Sequence, residues 1–419
     1  MILADNTMDD ILLPAYQKLY AGLQSLERFS KGQDLFENIA CLDSFLSEFR
    51  SITFVLQKSL AHTDYLSVYE SSRDKYLKND DCSWLVKKRN LVQKEAPFAL
   101  EKTLKLKLFL PNGTGVFSTE SYTIEDERCY SDLIDMVKTV IESIPSIEVF
   151  FSVEFVYCEK NSSRNIFDTI DNGIDSVIGL LEEINKTIGL EESATRKLLL
   201  IKINDLHFHF FPKEAWFVDD YVFYRKDHVF EKGERFEIVT PFKTEIPYNI
   251  LCERMRVELS SNYIGDAFKA FKIMHIMAFS RQKHLMPTIF IMREDGMISM
   301  TMYEASIKTT TYRKINDIAD DIKSGAPIVA VFHVSEMLIY KDMDVFNEDY
   351  SYRSKRAHSE ILSFDIVTKD YSSLYCISSE ALTDGKLDCE FPQLTKVETD
   401  DSISFMNPIV QAFAAQNSC

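Results

Sequence analysis

The apolar pattern of this sequence predicts an α+β multidomain protein: an N-terminal all-α helical bundle followed by mixed α/β regions. Three observations carry that expectation. Apolar residues recur every three or four positions through the first hundred residues; from Leu104 they alternate with polar ones; beyond that the two periods take turns. The spacing divides the chain into a helical bundle at 1–100, a mixed α/β middle domain at 101–255, a C-terminal α/β domain at 256–384 and a polar tail at 385–419. With 419 residues there is room for two or three cores, since single cores close at roughly 100 to 200 residues.

Taken in order, Met8 to about Leu60 reads as helix. Pro14 is tolerable in the first turn of a helix carrying Leu19, Leu23 and Leu26. Leu35, Ile39, Leu42, Leu46, Phe49, Ile52, Leu56 and Leu60 form one stripe of a longer helix. A third helix is expected over Tyr65–Lys78 and a fourth from about Ser83 into Arg89, stopped or bent by Pro97. Leu104, Leu106, Leu108 and Leu110 mark a half-buried strand ended by the Pro-Asn-Gly turn at 111–113, with Gly113 and Gly115 in a hairpin turn. A helix over Tyr130–Ile144, a strand from Ile147 to Tyr157 and a helix through Ile170, Ile174, Val177, Leu181 and Ile184 follow. Leu198–Ile203 and Phe208–Phe211 read as short β-like runs. The last part predicts a helix over Asp266–Lys283 and a hairpin of Thr288–Met292 and Ile298–Tyr303 about Asp295-Gly296. Helix Tyr312–Lys323 and strands Ile328–Tyr340, Ile361–Val367 and Leu374–Ser378 complete it. After Asp384 the polar, aperiodic tail reads as partly disordered.

Composition narrows the function classes. Acidic residues outnumber basic ones 65 to 47, and the net charge of −18 argues against a broad nucleic-acid-binding surface, leaving room only for a local basic groove. The eight cysteines are scattered without CxxC pairs, the pattern of reduced thiols. The acidic start MILADNTMDDILL and the lack of a long uncharged apolar run lead us to expect a soluble, cytoplasmic protein with no membrane partner. No GxGxxG, GxxxxGK[ST], GxSxG, HExxH or EF-hand pattern occurs, so no cofactor is expected.

Two constellations lie outside the N-terminal helices. His207 and His209 would share one strand face, a spacing found in metal sites, but no third ligand is in view and no metal is expected. Glu336, Arg353, Arg356, His358 and Glu360 read more readily as a solvated loop with surface ion pairs than as an active site.

The most informative residues are RNLVQKEA, Arg89 to Ala96. With FLSEFRSITFVLQKSL (Phe45–Leu60) and DDCSWLVKKRNLVQKEAPF (Asp80–Phe98), they resemble the HEPN ribonuclease superfamily, in which a helix ends in Arg-Asn and a His follows with four to six residues between it and the Arg. Here those places hold Lys94, Glu95 and Ala96. The resemblance covers about the first hundred residues. It implies a helical domain that dimerises and, in active relatives, a metal-independent attack of the ribose 2′-hydroxyl on the adjacent phosphate.

Imidazole, with an ordinary pKa near ~6.5, suits the proton transfers of that reaction, and guanidinium suits the developing charge. Arg89 and Asn90 remain for the second task. Lys94 is a poor base, because an ammonium group titrates near ~10.4 unless strongly perturbed. The expectation is therefore a HEPN-like RNA-directed or defence protein with a degenerate site; the alternative is a non-enzymatic, homo- or hetero-oligomeric interaction module. Lys87, Lys88, Arg89 and Lys94 form the candidate RNA-binding cluster and Trp84 a stacking face; the competing view is a solvated helix face paired with Asp80, Asp81 and Glu95. Arg50 either faces the same site or pairs with an acid such as Glu48.

Overall fold

The computed structural model describes residues 10–111, 113–162, 164–189, 191–210, 216–234, 244–341, 357–383, 394–397 and 404–417. The protein is α+β, with helices and antiparallel sheets. Four helices come first: α1 (Leu13–Glu27), α2 (Leu35–Leu60), α3 (Leu66–Tyr76) and α4 (Asp80–Lys94). Among the described residues no strand precedes β1 (Leu100–Phe109). Each start has a local cause. Pro14 sits in the first turn of α1. The Asp34 carboxylate accepts from Glu37 N at 2.8 Å to cap α2, and the Asn79 side chain accepts from Cys82 N at 2.8 Å to cap α4. The stripe expected on α2 is the buried one, through Leu42, Leu46, Phe49, Ile52, Leu56 and Leu60.

Next come β2 (Val116–Ile124), α5 (Tyr130–Glu142), β3 (Glu148–Glu159), α6 (Ile166–Ile188), α7 (Ala194–Asn204), the one-turn α8 (His207–Phe210), β4 (Val218–Tyr224) and β5 (Val229–Lys232). They form a five-stranded sheet in the order β2-β1-β3-β4-β5. Gly113, in the β1–β2 turn, has φ +73°, and a Cβ there would lie 2.4 Å from the Tyr312 ring, so both backbone and space demand glycine.

The remaining elements are β6 (Thr244–Pro247), α9 (Tyr248–Arg254), α10 (Tyr263–Gln282), β7 (Thr288–Arg293), β8 (Met297–Met302), α11 (Lys308–Lys323), β9 (Ile328–Ile339), β10 (Ser359–Thr368), β11 (Ser372–Ser378), α12 (Ser379–Thr383), β12 (Thr395–Val397) and α13 (Asn407–Asn417). Their strands make a seven-stranded antiparallel sheet ordered β12-β11-β10-β9-β7-β8-β6. The alternation along β9 sorts its faces. Ala330, Phe332 and Val334 join the cluster holding Phe268 and Phe271 of α10, while Val331 joins Ile315 and Ile322 of α11 and Ile409 and Phe413 of α13. Helices thus cover both faces of this sheet.

Contacts divide the chain into two compact units, one of Met1–Lys105, Ser121–Val137 and Glu154–Val218, the other of Leu106–Glu120, Lys138–Val153 and Asp219–Cys419. In the first, α1 packs on α2, α2 on α4, and both α3 and α4 on α6. The N-terminal helices therefore bury part of their apolar surface on a helix that follows three strands of the sheet.

Three expectations need correction. Leu198–Ile203 is helical, not β-like, and of the run expected over Phe208–Phe211 the first three residues are helical while Phe211 lies outside the described residues. A short apolar run has no period to choose between the states, and here the Ser193 hydroxyl caps α7 by accepting from Arg196 N at 3.1 Å, while the Glu27 carboxylate accepts from His207 N and Phe208 N at 3.0 and 2.9 Å. The fourth helix starts at Asp80, ahead of the expected Ser83, because Asn79 caps it there, and runs through Arg89 to Lys94. The tail, expected to be polar and aperiodic, carries a helix, α13, with Ile409 and Phe413 at 0% exposure; residues 385–393, 398–403, 418 and 419 lie outside the described ones.

Candidate functional site

Arg50 and Arg89, 39 positions apart in sequence, meet on the first unit. Helices α2 and α4 run antiparallel along a seam marked by two bonds: Phe98 N donates to Asp43 Oδ1 at 3.1 Å and Gln93 Nε2 donates to Ser47 Oγ at 3.0 Å. One turn further along each helix, the Arg50 guanidinium carbon lies 4.2 Å and that of Arg89 6.0 Å from the ring centroid of Phe54, a phenylalanine that is 46% exposed. Arg50 donates to Thr53 Oγ1 at 2.8 Å and Arg89 to the Asn90 amide oxygen at 3.2 Å.

Among the described residues neither guanidinium has a carboxylate partner, and the buried Nε of Arg89 has no hydrogen-bond acceptor. Burial depresses the Arg50 pKa below the usual guanidinium value, and the charges of Arg89 and Arg73 push the same way. Arg73, paired with Asp74 at 3.0 Å, lies 5.8 Å over the ring of buried Tyr69, whose hydroxyl donates to Thr53 O at 3.4 Å. The Glu48 partner considered for Arg50 instead pairs with Lys18 at 2.9 Å.

Apart from Asn90, which accepts from Arg89, the other candidates do not join this cluster. At about 100° per residue, Lys87 and Lys94 share one side of α4, Arg89 is turned about 200° from Lys87, and Lys88 falls between them. Lys87, Asn90 and Lys94 are exposed. Lys88 pairs with the Glu159 carboxylate. Trp84 is half-buried, flanked by Lys88 at 5.6 Å and by Arg164 at 5.7 Å, and packs edge-on against Phe98 at 5.9 Å. Since Arg164 pairs with Asp81 at 2.9 Å, both cations at Trp84 are neutralised. The expected single basic patch is thus split by helical geometry, and its Trp84 end is an internal ion-pair network.

Sequence reasoning missed Phe54 and Arg73. Phe54 stands four residues after Arg50 and off the buried stripe of α2, a large apolar residue on a polar face, which was the available signal. Arg73 had none, because it arrives on a different helix.

The second unit holds another unforeseen constellation. His333 and Asp365 are direct partners in the β9–β10 register, with His333 Nδ1 3.0 Å from Asp365 Oδ2 and Nε2 3.0 Å from Tyr303 Oη, which in turn donates to Thr311 Oγ1 at 3.3 Å. His333 and Asp365 are fully buried, and burial pushes the Asp365 and Tyr303 pKa values up. This relay joins buried polar groups inside the core, while Asp365 Oδ1 has no hydrogen-bond partner among the described residues.

Of the weaker constellations, His207 pairs with Glu27 at 3.1 Å and the His209 side chain lies outside the described residues. Glu336 meets His284 at 3.2 Å, and burial and Glu336 raise the pKa of Glu360; Arg353 and Arg356 lie outside the described residues. Among the described residues no group of three His, Cys, Asp or Glu side chains could hold a metal ion, and no helix is long and apolar enough to cross a membrane. No family model, curated protein or solved structure matches the chain.

Proposed function

We propose that this protein is a HEPN-like, non-cleaving binder of single-stranded RNA, with Arg50 and Arg89 as the phosphate contacts and Phe54 as the stacking surface. The observation that carries it is the pair of guanidiniums at Phe54 without a carboxylate partner among the described residues. Two such cations side by side repel each other, and an entering phosphate relieves that repulsion while replacing lost hydration. Guanidinium planes and an exposed ring also offer faces on which unpaired bases stack. Binding without cleavage follows from Lys94, Glu95 and Ala96, none of which is an imidazole, standing where the family places its His. In this proposal the N-terminal helices form the HEPN-type bundle, and the helix bearing Arg89-Asn90 pairs across a homodimer.

The test is retention of fluorescent single-stranded RNA by the purified protein, followed by anisotropy and gel analysis. The parent should bind without producing fragments, and Arg50→Ala and Arg89→Ala should each weaken binding at least tenfold. Binding unchanged in both variants, or cleavage that survives Arg89→Ala, overturns the proposal. A protein-interaction module is favoured by one observation of its own: Leu198 and Ile201 stand 64% and 57% exposed on α7. Loss of a co-purifying protein from a Leu198→Asp variant, with RNA binding absent in the parent, would select that reading.

A further inference from the structure

The α2–α4 seam continues from the arginine pair into an open groove of about 680 Å³, formed by Gln24 of α1, Arg28 just past its end, Asp43, Ser44, Ser47 and the Lys18-paired Glu48 of α2, and Gln93 of α4. That size falls in the range of about 300 to 1,000 Å³ usual for small-molecule sites. Ser47 and Asp43 precede Arg50 by three and seven residues, roughly 4.5 and 10.5 Å along the helix axis, and Gln93 stands one turn beyond Arg89 on the same side of α4. A ligand with its phosphate on the guanidiniums would lay its next group here.

The groove offers a carboxylate, two hydroxyls, two amides and a guanidinium. The Ser44 and Ser47 hydroxyls donate to Ala40 O and Asp43 O at 2.8 and 2.9 Å, and Ser47 Oγ also accepts from Gln93 Nε2 at 3.0 Å. Gln24 Nε2 donates to Tyr20 Oη at 2.8 Å, and Gln24 and Gln93 each keep an amide oxygen and a second N–H. Asp43 spends Oδ1 on Phe98 N and keeps Oδ2. Against these acceptors stands Arg28, which has no carboxylate partner among the described residues and does not pair with Asp43.

We infer that this groove holds the base of a guanine nucleotide, an assignment that rests on Arg50 and Arg89 taking its phosphate. Guanine is the base whose N1–H and N2 amino group present adjacent donors, matching a carboxylate such as Asp43, while O6 and N7 present adjacent acceptors, matching a guanidinium such as Arg28. Adenine and cytosine each offer a single amino group, and uracil one ring N–H.

Calorimetric titration of the full chain with GMP, AMP, CMP, UMP and inorganic phosphate tests it. GMP should bind at least tenfold tighter than the other nucleotides. Asp43→Asn, which keeps an oxygen for Phe98 N–H, should remove that preference while changing the other affinities less than twofold. Arg28→Lys, which lacks the bidentate fork, should lower GMP affinity alone and carries the test should Asp43→Asn alter the melting curve. Equal affinities for all four nucleotides, or a GMP preference that survives both substitutions, overturns the base assignment. Arg89-dependent RNA binding with no nucleotide preference sinks this assignment and leaves the proposed function standing; a parent that binds neither RNA nor nucleotide sinks both.

Discussion

A single lysine ties the loop between α1 and α2 to strand β1. Lys102 is 1% exposed, and its ammonium group donates to the Lys31 and Gln33 carbonyls at 3.2 and 2.6 Å between the rings of Phe155 and Tyr157. Burial brings its pKa down to about 8 from an unfolded value near 10.5, with Asp34 only partly offsetting the shift. Between those two values the unfolded chain binds more protons than the folded one, so stability rises with pH through that window as the cost of a buried charge disappears. The full effect is about 3 kcal/mol, at about 1.4 kcal/mol per pKa unit. Urea denaturation of the parent and Lys102→Met at pH 7.5 and 10.5 should show their stability difference changing by up to that amount. A difference that stays flat with pH would remove Lys102 as the cause.

At the scale of elements, three helices converge on Gly173 of α6. A Cβ there would lie 2.3 Å from Leu85 Cδ1 on α4 and 3.4 Å from Phe49 Cζ on α2, and Leu85, at 0% exposure, has no open space into which to turn. Alanine in place of a helical glycine ordinarily gains about 1 kcal/mol, but overpacking costs about 1 to 3 kcal/mol. Gly173→Ala should therefore be destabilising by about 1 kcal/mol in urea titrations. Combined with Leu85→Ala, its added cost should vanish, a coupling above ~0.5 kcal/mol in a double-mutant cycle. A Gly173→Ala variant more stable than the parent would show that α4 and α6 tolerate a wider spacing. The same convergence matters for the candidate site, because it sets the face of α4 that brings Arg89 to Phe54.

At the scale of the whole molecule, the chain carries a net charge of −18, while the candidate site is built on two arginines that have no carboxylate partner among the described residues. If RNA is held by Arg50 and Arg89 alone, about two phosphates are neutralised, and log affinity should fall against log salt with a slope near −1.4, at about −0.7 per phosphate on single strands. Anisotropy titrations from low to moderate salt measure it directly. A slope of −4 or steeper would require a broad basic surface and would displace the local site. Reversal of Lys87, exposed on the opposite side of α4 from Arg89, should leave binding within about twofold, because exposed charges more than about 10 Å apart are largely screened at 0.1 M salt.

What the sequence determined by itself is the local periodicity: the α2 stripe, the strand through Leu104–Leu108, the Asp295-Gly296 hairpin and the central strand from Ile328, each of which repeats its pattern over enough residues to select one period. It also placed Arg50 and Arg89 as candidates for one site through their positions on two amphipathic helices. Tertiary structure decided the rest. Leu198–Ile203 is too short a run to choose its own state, so a serine cap and the surrounding packing chose helix. The cations of α4 separated because each helical turn points successive residues to different neighbours, giving Lys88 to Glu159 while Arg89 reached Phe54. Arg73, the groove from Arg28 to Gln93 and the His333–Asp365 relay join residues from different elements, and a one-dimensional pattern carries no information about which elements will touch.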